Sequence, residues 1–229
     1  PFFCYEFHKH ITARDKISYE HFYDVLMRSP VNTNCKTIHH MTKEDLFIYT
    51  LLHFYKHFVG GGAGIRFLLD LYFVDRALFD EIDKAEVFNT LRKMNLYCFY
   101  KKMKSLAYKM FGDEEKLEIN EGEGLICKYM YMQGCFGSDS GGVLDSVKRK
   151  SQDSQHFKYF YYIWFKYFYQ ERRYRNYPIL KKSYVLLPLC FIHRIMKCAT
   201  VDRKKVKKDY KSFLNYESFV DSVFLELDL

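Results

Sequence analysis

The sequence predicts a mainly α-helical protein with a short β segment at its start. Three observations carry that expectation. Only four prolines and eleven glycines interrupt 229 residues, so few positions force a helix to stop. Few stretches alternate apolar and polar residues with the period of two that a half-buried strand needs. Apolar residues recur instead at i, i+3, i+4 and i+7, the spacing that lines one face of a helix.

Phe2 to His8 reads as a strand, with Phe3, Tyr5 and Phe7 on one face and Cys4, Glu6 and His8 on the other. A polar linker follows, holding Ser29-Pro30 and "NTNCKT". Thr42 then starts a helix, with Asp45 three residues on as a weak capping box. Ile48, Leu51, Leu52 and Tyr55 form its buried stripe, and Gly60, Gly61 and Gly62 end it. Gly64 opens the next helix, whose stripe is Ile65, Leu68, Leu69 and Tyr72. Shorter helices are expected over residues 84–94 and 97–111. An acidic loop, "GDEEKLEINEGEG", precedes a helix near residues 125–133.

The segment 137–156, which includes "GSDSGGVLDS", reads as a mobile loop. After it, Phe157, Phe160, Tyr161, Trp164, Phe165 and Phe168 make a helical stripe. That helix ends at "RNYP", because the residue before Pro178 is pushed out of the α region. Two last helices cover residues 180–198 and the basic "DRKKVKKDYKSF". The chain thus divides into a β remnant and linker (1–40), a helical domain (41–136), the loop, and basic, aromatic-rich helices packing on the helical domain (157–229).

An apolar share of 48% and a charged share of 28% exclude a disordered chain. Seven cysteines, with no CxxC and no regular spacing, argue against a disulfide scaffold or a zinc ribbon. Free thiols fit a reducing cytoplasm, the expected location, and no secretion signal is visible. The longest apolar run, Tyr184 to Ile192, has nine residues. A membrane span needs about 20, so no transmembrane segment is expected.

The net charge of +8 is unevenly placed. Residues 148–211 hold 18 Lys and Arg against 4 Asp and Glu, whereas residues 1–147 hold 18 against 20. Such a tract suits an anionic partner, with nucleic acid as one class and an anionic membrane surface as another. The competing reading makes the aromatics a core stripe and the lysines its solvated face.

Four stretches, "YEFHK", "LLHFYKHFVGGGAGIRFLLDLY", "GCFGS" and "RNYPILKKSYVLLPLCFIHRIMK", together resemble the C-terminal two thirds of the uncharacterised bacterial nucleotidyltransferases with a DNA-polymerase-β-like core. The resemblance implies transfer of a nucleoside monophosphate from a nucleoside triphosphate to an acceptor. It also implies divalent metal, Mg²⁺, held by an Asp-x-Asp pair after a Gly-Ser turn and by a third carboxylate on a nearby strand. Glu6 matches the third carboxylate, as catalytic residue and metal ligand. The pair is missing, since Gly141 stands where the partner of Asp139 belongs, and it is expected upstream of Pro1. The chain then resembles the helical part of such an enzyme plus the last strand of its catalytic core. The alternatives are a truncated pseudoenzyme and a non-catalytic nucleic-acid-binding module using Arg172, Arg173 and Arg175.

Read from their own chemistry, these residues allow more than one role. Glu6 on an apolar strand is costly unless paired or metal-bound, yet an edge-strand Glu facing water avoids that cost. His53 and His57 share a helix face, but Phe54 stands where a zinc protease carries its Glu. Helix packing, or contact with phosphate or base beside Lys56, is therefore open to both histidines. Gly62 and Gly64 precede a helix N-terminus, whose free N–H groups suit an anion. Arg66 in that first turn is disfavoured by the helix dipole. A phosphate would compensate it, and so would a solvated pair with Asp70. The nucleotide-binding set expected under the resemblance is His53, Lys56, His57, Gly62, Gly64, Arg66 and Asp70.

Overall fold

The structure is a computed structural model that describes residues 16–23, 25, 29–32, 35–60, 62–112, 118–134, 139–151, 157–169 and 172–229. The fold is mainly α, as expected. The strand expected over Phe2–His8, with Glu6 and His8, lies outside the described residues. The chain forms two compact units. The first holds residues 1–56 and 66–119, and the second holds residues 57–65 and 120–229.

The first unit departs from the expected linker. Helix α1 (Lys16–Tyr23) and a small hairpin of β1 (Val31–Asn32) and β2 (Cys35–His39) occupy part of it. Their anchor is buried chemistry that composition hides. Phe22 and Val25 are buried, and His21 Nε2 lies 3.0 Å from Oδ1 of Asp45, which is only 3% exposed. Helix α2 (Lys43–Val59) follows. Thr42 caps it as expected, because the Asp45 N–H donates to Thr42 Oγ1 at 3.1 Å. Asp45 does more than a capping box asks, since its carboxylate also holds His21. Of the predicted stripe, Ile48, Leu51 and Leu52 are buried.

Helices α3 (Ile65–Leu78), α4 (Lys84–Lys93) and α5 (Tyr97–Phe111) complete this unit. Asp83 caps α4 by accepting from the N–H groups of Ala85 and Glu86. A tight reversal closes it: Leu96 N–H reaches Leu91 O and Asn95 N–H reaches Arg92 O, with Asn95 at φ 56°. Asn tolerates that conformation better than most residues do. Phe54 meets Phe99 edge-on at 5.2 Å and stacks on Phe67 at 5.8 Å. Aromatic rings therefore pack α2 against both α3 and α5.

The strongest polar feature of the unit lies between α3 and α5. Asp75 is 1% exposed and receives three donors. Tyr100 OH donates to Oδ1 at 2.7 Å, Tyr108 OH to Oδ2 at 2.8 Å, and Lys104 Nζ pairs with Oδ2 at 2.8 Å. The ammonium of Lys104 also sits 3.6 Å from the centroid of the Phe79 ring. Burial, followed by the hydrogen bond to Asp75, pushes the Tyr108 phenol up to about 12 and raises that of Tyr100 as well.

The second unit corrects several sequence readings. Helix α6 (Glu121–Gln133) begins inside the expected acidic loop, because Asn120 and Glu123 form a full capping box. The expected mobile loop over 137–156 contains helix α7 (Asp139–Ser151). Gly141 and Gly142 weaken a helix, but burial of Val143, Leu144 and Val147 outweighs that propensity. Helix α8 (Lys158–Tyr167) buries Tyr162, Ile163 and Phe165, while Phe157 and Phe160 of the expected stripe are exposed.

The helix expected to run from the aromatic stripe to "RNYP" is instead two: α8 stops at Tyr167, and a separate short helix, α9 (Arg172–Asn176), ends before Pro178. Residues 180–198 are not one helix. Short 3₁₀ turns at Pro178–Lys181 and Tyr184–Leu186 precede α10 (Leu187–Ala199). Pro188 has no N–H to donate and so fits only the first turn of a helix. The last helix, α11 (Arg203–Glu226), packs along α6 and α7. No described helix is long and apolar enough to cross a membrane by itself. Among the described residues, Cys98, Cys127, Cys190 and Cys198 are in the thiol form, outside any disulfide.

Two outcomes test the Asp75 cluster. Removing one partner of a buried pair typically costs about 3–5 kcal/mol, so Asp75→Ala should lower unfolding stability by that amount in a urea titration. A phenol whose folded pKa is raised supports folding fully below its ordinary value near 10, and that support is lost as pH rises toward the folded value of about 12. Stability should therefore fall between pH 10 and 12, and less steeply in Tyr108→Phe.

Candidate functional site

Most of the predicted nucleotide-binding residues of the first unit lie on the facing sides of α2 and α3. Tyr49 and His53, one turn apart on α2, stack with ring centroids 5.7 Å apart. His53 also meets Phe67 of α3 at 5.7 Å. These rings border a cavity of about 330 Å³ whose lining also includes Thr50, Asp70 and Phe73. Its walls are aromatic, and its polar groups are an imidazole, a hydroxyl and a carboxylate. Thr50 spends its own proton on Leu46 O at 2.9 Å, so toward a ligand its oxygen is an acceptor.

At the edge of this cavity, Arg66 Nε approaches Asp70 Oδ2 at 3.6 Å. The two side chains are 62% and 50% exposed. An exposed i, i+4 pair of this kind contributes under about 1 kcal/mol, so an arriving anion can draw Arg66 away from Asp70 at small cost. The structure thus brings together His53, Arg66 and Asp70. Lys56 is half-buried on the same helix α2.

His57, Gly62 and Gly64 belong to the second unit. There the glycine turn has a conformational task. The Gly62 N–H donates to His57 O at 3.0 Å and closes the last turn of α2. Gly62 has φ +103°, and a Cβ there would collide with the side chain of Gln133. Gln133 is buried and bonded through Nε2 to Tyr216 OH. Gly62, Ala63 and Gly64 are all buried, so the turn is packed inside its own unit and the Gly62 N–H is already in use.

Metal fits the described residues poorly. Among them, no group of three His, Cys, Asp or Glu side chains could hold an ion. His53 and His57 therefore have no third ligand within the described residues. Glu6 lies outside those residues.

Asp75 and its three donors were not among the predicted site residues, although the sequence carries a signal for them. Leu68, Leu71, Tyr72 and Asp75 follow the i, i+3, i+4, i+7 pattern, which puts an acid on an apolar face where it must be paired. The cluster lies outside the cavity lining, but it fixes the helix that carries Arg66, Phe67, Asp70 and Phe73.

The glycine turn yields its own test. Gly62→Ala forces a side chain into a backbone region that costs about 1–3 kcal/mol and displaces Gln133 as well. Its urea midpoint should fall accordingly, whereas Gly134→Ala, with φ +65° but open space around it, should lose less.

Comparison with protein families matches residues 3–112, just under half of the chain, to the family described as uncharacterised nucleotidyltransferase. No curated protein and no solved structure matches the chain. The matched stretch contains Glu6 and the entire α2–α3 cavity, so the likeness of residues 3–112 to the uncharacterised nucleotidyltransferase family covers the candidate site.

Proposed function

We propose that the chain is the helical part of a nucleotidyltransferase and that the α2–α3 cavity receives the nucleoside end of a nucleoside triphosphate. The observation that carries this reading is the juxtaposition of the aromatic-walled cavity with Arg66 inside the family-matched residues. A volume of about 330 Å³ suits a base or nucleoside rather than a whole triphosphate. Tyr49, Phe67 and Phe73 offer rings on which a base can stack, an interaction typically worth about 1–3 kcal/mol per base. His53, Thr50 and Asp70 can meet its polar edge. Arg66 turns from Asp70 to the phosphates, where a guanidinium matches the oxygens in a bidentate fork.

Lys56, in the same unit as the cavity, is a further proposed phosphate contact, while Gly62 and Gly64 shape the turn after α2. Mg²⁺ is the expected cofactor, with Glu6 as the chain's proposed ligand and catalytic carboxylate. When bound, the ion would neutralise charge on the transferred phosphoryl group.

Equilibrium binding of a non-hydrolysable nucleoside triphosphate tests the cavity. Hydrogen bonds to charged groups are worth about 1.5–3 kcal/mol, so Arg66→Ala should weaken binding at least tenfold. Since Arg66 is exposed, its thermal unfolding should match that of the parent. Unchanged affinity in Arg66→Ala and His53→Ala would contradict the assignment. Loss of nucleotide transfer in Glu6→Ala, with binding retained, would separate the chemistry from the pocket.

A further inference from the structure

The second unit holds a cavity of its own, outside the family-matched residues. It measures about 340 Å³ and is bordered by α7, α8, α9 and α11. Among the described residues, three cations line it, Lys166, Arg172 and Arg175, against one carboxylate, Asp209. Lys166 is already committed in part: its Nζ donates to Tyr162 OH at 2.6 Å and lies 3.2 Å from Asp209 Oδ2. Beyond that pair, Arg172 and Arg175 add two guanidinium groups to the described lining, which adds no further carboxylate.

Both arginines sit on a short helix pinned in place by backbone contacts. Arg172 Nη1 donates to Phe165 O at 3.1 Å, and the amide of Asn176 donates to Tyr167 O at 2.9 Å and to Arg172 O at 2.8 Å. The cationic side of the cavity is thus organised before any ligand arrives, which lowers the ordering cost of binding. The other side is aromatic. Tyr162 and Phe213 lie with ring centroids 4.8 Å apart, and Tyr216 completes that wall.

We infer that this cavity binds a phosphomonoester carried on a single ring. Guanidinium groups recognise a phosphate through paired N–H donors. A flat apolar wall beside them takes a ring, and the volume admits one ring with its phosphate rather than a polymer. An aromatic ring and a sugar ring satisfy the same chemistry. The site is independent of the nucleotide cavity of the first unit, and it gives the basic tract a more local purpose than coating a nucleic acid. Elsewhere in that tract, Lys148, Arg149, Lys158 and Arg194 are each matched by a carboxylate.

Isothermal titration of the full chain with phenyl phosphate and with ribose phosphate tests the inference, with phenol and ribose as neutral counterparts. At least one phosphate should bind while its neutral counterpart does not, and the better of the two identifies the ring type. Arg175 is exposed, so Arg175→Ala should fold normally and bind at least tenfold more weakly. Asp209→Asn should bind several-fold more tightly, because it frees Lys166 and removes a repelling charge. Arg66→Ala should bind as the parent does, which keeps this result separate from the first-unit cavity. The inference is overturned if neither phosphate binds at low salt, or if Arg175→Ala binds like the parent. It is also overturned if the double variant Lys204→Ala, Lys205→Ala, altered on the exposed part of α11, weakens binding as much as Arg175→Ala does.

Discussion

A carboxylate removed from water must recover its solvation from neighbouring groups, and Asp75 does so with two phenols and an ammonium. All three donors come from α5, and each is spaced four residues from the next, so one face of that helix converges on one residue of α3. The arrangement is specific in a way that ring packing is not. Aromatic rings tolerate sliding, whereas a buried carboxylate with both oxygens occupied fixes α3 in rotation and in register. Phe67, Asp70 and Phe73 lie on that same helix. Their direction toward Tyr49 and His53 follows from where Asp75 is held.

Two ion pairs involving α3 thus divide the labour. Asp75 and Lys104 are largely withdrawn from water, and their geometry is locked. Arg66 and Asp70 are at least half exposed at the cavity edge and can exchange partners cheaply. A binding site needs both kinds, a rigid support and a charge that is free to be recruited. The second unit repeats the principle with other residues: Gln133 fills the space above Gly62, and Tyr129 OH donates to Phe58 O at 2.9 Å.

Helical periodicity made most of the fold legible. Residues 97–111 and the start of α2 at Thr42 could be read directly, because apolar spacing and capping chemistry agree there. The helix at 139–151 was hidden because Gly141 and Gly142 speak locally for a loop, while the burial of Val143, Leu144 and Val147 is a tertiary effect. The site was legible in part. His53 and Asp70 line one cavity and Arg66 pairs with Asp70, whereas the phosphate role of the glycine turn rested on free N–H groups at a helix start. Spacing could not reveal that the turn would be buried under Gln133. The uneven charge was visible, but its partial offset was not, since Asp221 and Glu217 near the chain end reach back to Lys148 and Lys158.

The central claim is that the nucleotide's ring lies between α2 and α3 of the family-matched unit. Photolabelling of the full chain with azido-ATP, followed by peptide mapping, addresses it most directly. The account predicts labelled peptides from residues 43–78, protected by excess unmodified ATP. Protectable label confined to residues 120–229 would contradict it.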